Sequence, residues 1–141
     1  MSADLNPRGR VLVVDDDEAM RTFLEEELRD EGFQVTGAPD TLSALIHLLG
    51  KAVDVLVLDW KMPTQDGFSL LGTVRRVHPR LPVIFVTAYA RPEVRRRALE
   101  SGAFGFLAKP FPLRGLVDEI EQALRYRTQA GSAPGGNSSR T

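Results

Sequence analysis

Carboxylates, a hydroxyl and an ammonium recur at separated points of this chain, in an order that suits chemistry on an anion. They are Asp15, Asp16 and Asp17, then a lone Asp59, then Thr87, then Lys109. Three or four carboxylates gathered in one crevice repel each other, and a hard divalent cation with oxygen ligands is the usual way to stabilise them. Mg2+ is the natural candidate. Lys109 supplies a compact positive charge for a phosphoryl oxygen, and the Thr87 hydroxyl can donate to another. A carboxylate held between metal and lysine can attack phosphorus and form an acyl phosphate. Asp59 is the expected nucleophile because it stands alone after the most apolar run of the chain, Val53 to Leu58. Asp15 and Asp16 are neighbours whose side chains diverge, so they take different metal-holding roles. The expected division has Asp16 on the ion directly and Asp15 on it directly or through water.

Those residues are useful only if the fold brings them together, and the hydrophobic pattern shows how it would. Short apolar runs at 11–14, 33–38, 53–58, 83–86 and 104–107 each precede a stretch with apolar residues at helical spacing, the clearest being Leu113, Leu116, Val117, Ile120 and Leu124. Gly32 and Gly50 read as helix stops, and Pro92 as a helix start. Five β/α units predict an α/β fold, a doubly wound parallel sheet with helices on both faces. In such sheets ligands sit beyond the carboxyl ends of the strands. Asp15 to Asp17, Asp59, Thr87 and Lys109 all fall there.

Composition narrows the setting. The chain has 141 residues, 43% of them hydrophobic, enough for one well-buried core and too few for two ordinary domains. A net charge of -1 gives no global attraction to nucleic acid or to an anionic membrane. The sequence contains no cysteine, which excludes disulfides and thiolate metal sites. Neither a secretory leader nor an apolar run near the roughly 20 residues of a membrane span is found, so a cytoplasmic location is expected. Residues 1–7 read as an N-terminal extension, 8–127 as the folded domain, and 128–141, rich in Gly, Ser, Ala and Pro, as a flexible tail or linker.

In order and spacing, the motifs VLVVDDDEAMR, VLVLDWKMPTQDG, IFVTAYA and GAFGFLAKPF closely resemble those of the response-regulator receiver family, over about 120 residues. The resemblance implies a flavodoxin-like (βα)5 sandwich with strand order 2-1-3-4-5. It implies a phosphoacceptor at Asp59, an acidic pair at Asp15 and Asp16, a metal ligand in the Lys61 backbone carbonyl, and a cis bond between Lys109 and Pro110. A histidine kinase or histidine phosphotransfer protein would supply the phosphoryl group. Thr87 and Phe106 would form the switch that reshapes the surface of the fourth helix, fifth strand and fifth helix, for a downstream protein or a homodimer mate. Many members carry tyrosine where this chain has Phe106, so the coupling here works through packing. Lys61 and Tyr89 stand where the family tunes loss of the phosphoryl group, and their bulk predicts slow loss. The implied role is that of a signalling phosphoacceptor with self-catalysed phosphotransfer, not of an enzyme acting on separate substrates.

Plainer readings apply elsewhere. Asp17 reads as a helix cap, His47 as part of an apolar helix, and His78 as a turn residue before Pro79. Arg95 to Arg97 form a basic helix face that can help select a partner. Two rival functions are weighed. A haloacid-dehalogenase-like phosphatase would use Asp15 and Asp17, but the residues that follow, Glu18 and Ala19, do not fit, and Asp59 would go unexplained. A pseudo-receiver acting only as a binding module would have no need of the acidic, Thr and Lys set. No Gly-rich nucleotide loop occurs, and direct binding to DNA is not expected.

Overall fold

The computed structural model describes residues 8–59 and 67–132. Five strands alternate with five helices: β1 (Arg10–Val14), α1 (Glu18–Asp30), β2 (Gln34–Ala38), α2 (Thr41–Gly50), β3 (Val55–Asp59), α3 (Gly67–Val77), β4 (Val83–Thr87), α4 (Pro92–Glu100), β5 (Gly105–Ala108) and α5 (Leu113–Ser132). All strand pairs are parallel, and the sheet order is β2-β1-β3-β4-β5. The expected flavodoxin-like α/β sandwich is therefore the fold.

The two central strands explain their own sequences. Every residue of β3 and β4 is buried, because helices cover both faces of a parallel sheet. Alternate side chains then feed two cores. Leu12, Leu56, Leu58, Val83 and Phe85 pack with Leu48 of α2, Leu71 and Val74 of α3 and Ala98 of α4. Val11, Val13, Val55, Val57, Ile84 and Val86 pack with Leu24 and Leu28 of α1 and with Leu116, Val117 and Ile120 of α5.

Local chemistry sets the helix ends. Asp17 caps α1, its Oδ1 accepting from the Met20 N–H at 3.2 Å, and Asp40 caps α2, accepting from the Ser43 N–H at 2.8 Å. Gly32, at φ +102°, ends α1, where the Phe33 N–H reaches back to the Leu28 carbonyl at 3.2 Å. Pro92 opens α4, as expected, without a side-chain cap. The last helix runs on to Ser132, beyond residue 127 where the sequence pattern placed the end of the domain. The expected N-terminal extension, 1–7, and residues 133–141 of the expected tail lie outside the described residues. No helix among the described residues is long and apolar enough to cross a membrane.

Candidate functional site

The strand order reverses between β1 and β3, and this is where the acidic residues meet. Val14 pairs with Leu58 across β1 and β3, so Asp15 and Asp59 leave the sheet side by side. On the other flank Asp59 pairs with Val86, placing Thr87 one rung further, and Thr87 pairs with Ala108, placing Lys109 next. The Lys109 N–H donates to the Thr87 carbonyl at 2.9 Å, and the bond from Lys109 to Pro110 is cis. Asp59 and Thr87 are the last residues of their strands, one position deeper than the sequence pattern placed them.

Burial picks out the same group. Among the described residues the buried polar or charged ones are Asp15, Asp59 and Thr87, at 1%, 7% and 0% exposure. Buried polar groups cost free energy unless they are satisfied, so a fold that concentrates its buried carboxylates at one point stores charge there for a purpose other than packing. Lys109 Nζ lies 2.6 Å from Asp59 Oδ2 as an ion pair. Among the described residues, neither Asp59 oxygen nor Asp15 Oδ2 finds a hydrogen-bond donor of good geometry. Asp15 Oδ1 accepts the Asp17 N–H at 2.9 Å. Burial, then contact with Asp59, pushes the Asp15 carboxyl up to about 7, while the Asp17 N–H and the Lys109 charge pull the other way.

The two partners of the acidic pair are thereby distinguished. Asp15 is the one set against Asp59, whereas Asp16 is exposed. Two buried carboxylates with orphaned oxygens, and one lysine between two negative charges, fit a hard cation: Mg2+ is commonly held by one or two carboxylates and keeps several waters. No three acidic or histidine side chains among the described residues converge on one point. The expected carbonyl ligand, Lys61, lies outside the described residues, as does Trp60.

Thr87 Oγ1 accepts the Tyr89 N–H at 2.9 Å, which leaves its own proton free to donate. Ala88 and Tyr89 are exposed beside it, Tyr89 at 42%. Phe106 is half-buried and stacks on Phe85 at 6.0 Å between centroids, and Phe85 stacks on Phe68 at 5.3 Å. The Arg97 guanidinium covers Phe68 at 4.2 Å. This stack links α3, β4, β5 and α4, and sequence reasoning did not find it, since only Phe106 carries a motif signal. Arg21 was also missed: its Nη1 donates to the Asp15 carbonyl at 2.8 Å and fixes the turn after β1. His78 proves structural, its Nε2 2.9 Å from the Leu48 carbonyl.

Known proteins resemble this chain in sequence and fold. A family model for the response regulator receiver domain matches residues 11–121. The DNA-binding transcriptional regulator NtrC of Escherichia coli is 39% identical over 119 residues, covering 84% of this chain and 25% of NtrC. The chain thus spans a quarter of that relative's length. The receiver domain of the Francisella response regulator 1452 superposes with a TM-score of 0.78 at 33% identity, covering 84% of this chain and 98% of that one. The response regulator TrrA of Thermotoga maritima, solved in complex with Mg2+-BeF, gives 0.73 at 28% identity over 82% of this chain and 99% of that one.

Proposed function

The chain belongs to the response regulator receiver domain family of two-component signalling, and we propose that Asp59 is its phosphoacceptor, working with Mg2+ and with Asp15, Thr87 and Lys109. The observation that carries this reading is the convergence of the buried Asp15, Asp59 and Thr87 on Lys109 at the ends of β1, β3, β4 and β5.

A histidine kinase or histidine phosphotransfer protein is the donor. An Asp59 oxygen attacks phosphorus, the new O–P bond forms as the P–N bond to the donor imidazole breaks, and the imidazole leaves with the electron pair and takes a proton from water. Lys109 Nζ, already 2.6 Å from Asp59, balances charge on the incoming phosphoryl oxygens. The Thr87 hydroxyl donates to one of them. Bound Mg2+ supplies Lewis-acid neutralisation of those oxygens. Asp15, with Asp16 beside it, would hold the cation, as would the Lys61 carbonyl in the family pattern.

Drawing Thr87 toward a phosphoryl group on Asp59 would strain the sheet end next to Lys109 and the ring stack of Phe106, Phe85 and Phe68. Arg97 sits on that stack, so the change reaches the surface of α4, β5 and α5, where a downstream protein or a second copy reads it. Half-exposed Tyr89 crowds the approach of water, which supports slow loss of the phosphoryl group. To test the reading, the protein is incubated with a small phosphodonor and Mg2+ while its mass and Trp60 fluorescence are followed. A gain of one phosphoryl group that disappears in Asp59→Asn is expected. An undiminished gain in that variant would refute the assignment.

A further inference from the structure

At the opposite end of the sheet, before β4 and β5 begin, lies a groove of about 490 Å3 with Arg75, Pro79, Arg80, Pro82, Phe104 and Tyr126 among its walls. No acidic residue lines it among the described residues. Arg75 Nη1 donates to the Pro79 carbonyl at 2.7 Å and Nη2 to the Leu81 carbonyl at 2.8 Å, while Nε is buried without a partner. Gly102, at φ +107°, makes room for it, since a Cβ there would stand 2.9 Å from Nε. Carbonyls satisfy N–H groups but do not neutralise the guanidinium, and Arg75 forms no ion pair with a carboxylate among the described residues. A guanidinium cannot shed its charge as a lysine can. Arg80 is exposed and likewise makes no ion pair among the described residues. Beside these cations, the Phe104 and Tyr126 rings meet at 5.3 Å and add apolar surface to that of the prolines.

We propose that this groove docks an acidic side chain flanked by an apolar residue on a partner polypeptide. The carboxylate supplies the counter-charge that no described residue gives Arg75 and Arg80, and the apolar neighbour covers Pro82, Phe104 and Tyr126. A bare oxyanion would leave that apolar surface uncovered, and a purely apolar segment would bury two unpaired cations, which is costly. The surface lies at the far end of the strands from Asp59, so it can be occupied with the phosphoryl site either filled or empty.

The test uses the full chain labelled with nitrogen-15 and the probe peptide acetyl-Glu-Leu-Glu-Leu-amide, with its Gln-for-Glu counterpart and inorganic phosphate as separate arms. Saturable amide shifts at Gly102, Ala103 and Tyr126 are expected with the acidic peptide, little response to the Gln peptide, and binding about fivefold weaker in Arg80→Gln. Arg80 is solvent-exposed, so this variant keeps the fold. The proposal is overturned by the absence of saturable shifts, by an equal response to the Gln peptide, by unchanged affinity in Arg80→Gln, or by inorganic phosphate producing the same shifts at equal or lower concentration.

Discussion

Strand β3 starts just after one aspartate and ends in another, and the two live in opposite electrostatic worlds. Asp54 immediately precedes the strand. Arg10 grips it with Nε at 3.0 Å from Oδ2 and Nη2 at 3.2 Å from Oδ1, the Arg10 N–H adds a bond at 2.8 Å, and Arg127 Nη1 stands 3.5 Å from Oδ1. Burial opposes its charge most strongly, yet the Arg10 side chain and N–H, with help from Arg127, hold its carboxyl below the usual range. Asp59 ends the same strand with one lysine shared against Asp15, and with both oxygens lacking a hydrogen bond. One end is a closed ion cluster, and the other leaves its carboxylates short of partners among the described residues. Charge satisfied within the chain contributes stability, whereas charge left unsatisfied is available for chemistry.

Exchanging function for stability at the two ends should give opposite results, and Asp59→Asn makes the largest difference. It is expected to slow phosphoryl uptake at least about a hundredfold, since the proposed nucleophile is gone, while the metal-free variant unfolds at the same or a higher temperature because a buried like charge is removed. Asp54→Asn should do the reverse. It is expected to lower stability by about 1–2 kcal/mol, a charged hydrogen-bond contribution discounted for half-exposed Arg10, with phosphoryl uptake unchanged. Urea unfolding and mass spectrometry on both variants decide it. Equal stability losses at the two ends would erase the contrast.

The contrast was only half legible in the sequence. Apolar runs ending in Asp59, Thr87 and Lys109 announced the strand ends, because a parallel sheet buries both faces of its central strands and leaves the last residue to point into the crevice. Which of the adjacent Asp15 and Asp16 turns inward was not readable, since it depends on the turn that Arg21 fixes through the Asp15 carbonyl. The far cluster carried no signal at all: Arg10 and Asp54 are 44 residues apart and Arg127 is a further 73 along, and only the finished sheet makes them neighbours. The part of α5 beyond Arg127 escaped because Thr128 to Ser132 offers no apolar stripe in the sequence by which a helix would be recognised.

Acid and base should separate the two ends further. In the metal-free protein Asp15 has a folded-state pKa raised to about 7, so between about pH 4 and 7 the folded chain keeps a proton that the unfolded chain has lost. Its contribution is therefore full below about pH 4 and is lost as pH rises through 7. Asp54, with its folded pKa lowered, contributes above about pH 4 and is lost as pH falls below that. Melting curves in chelator are expected to show Asp15→Asn removing the decline toward neutral pH, and Asp54→Asn reducing the fall in acid. A neutral-pH decline that persists in Asp15→Asn would place its origin elsewhere. Mg2+ should then act on one end alone: at tenfold its dissociation constant it stabilises by about 1.4 kcal/mol, an effect expected to shrink in Asp15→Asn and to survive intact in Asp54→Asn.

The smallest effect tests whether the far cluster is one unit or two contacts. Arg127 Nη1 donates to the Val53 carbonyl at 2.7 Å, a good bond, but approaches Asp54 only at 3.5 Å. The carbonyl contact ties α5 to the start of β3 without needing the carboxylate. Arg127→Gln is therefore expected to cost about 0.5–1 kcal/mol, of which a double-mutant cycle with Asp54→Asn should assign no more than about 0.5 kcal/mol to the charge pair, as for other partly exposed ion pairs. A larger coupling would mean that Asp54 needs both arginines to stay charged. The two ends of β3 would then differ in how many cations they gather as well as in whether the charge is met.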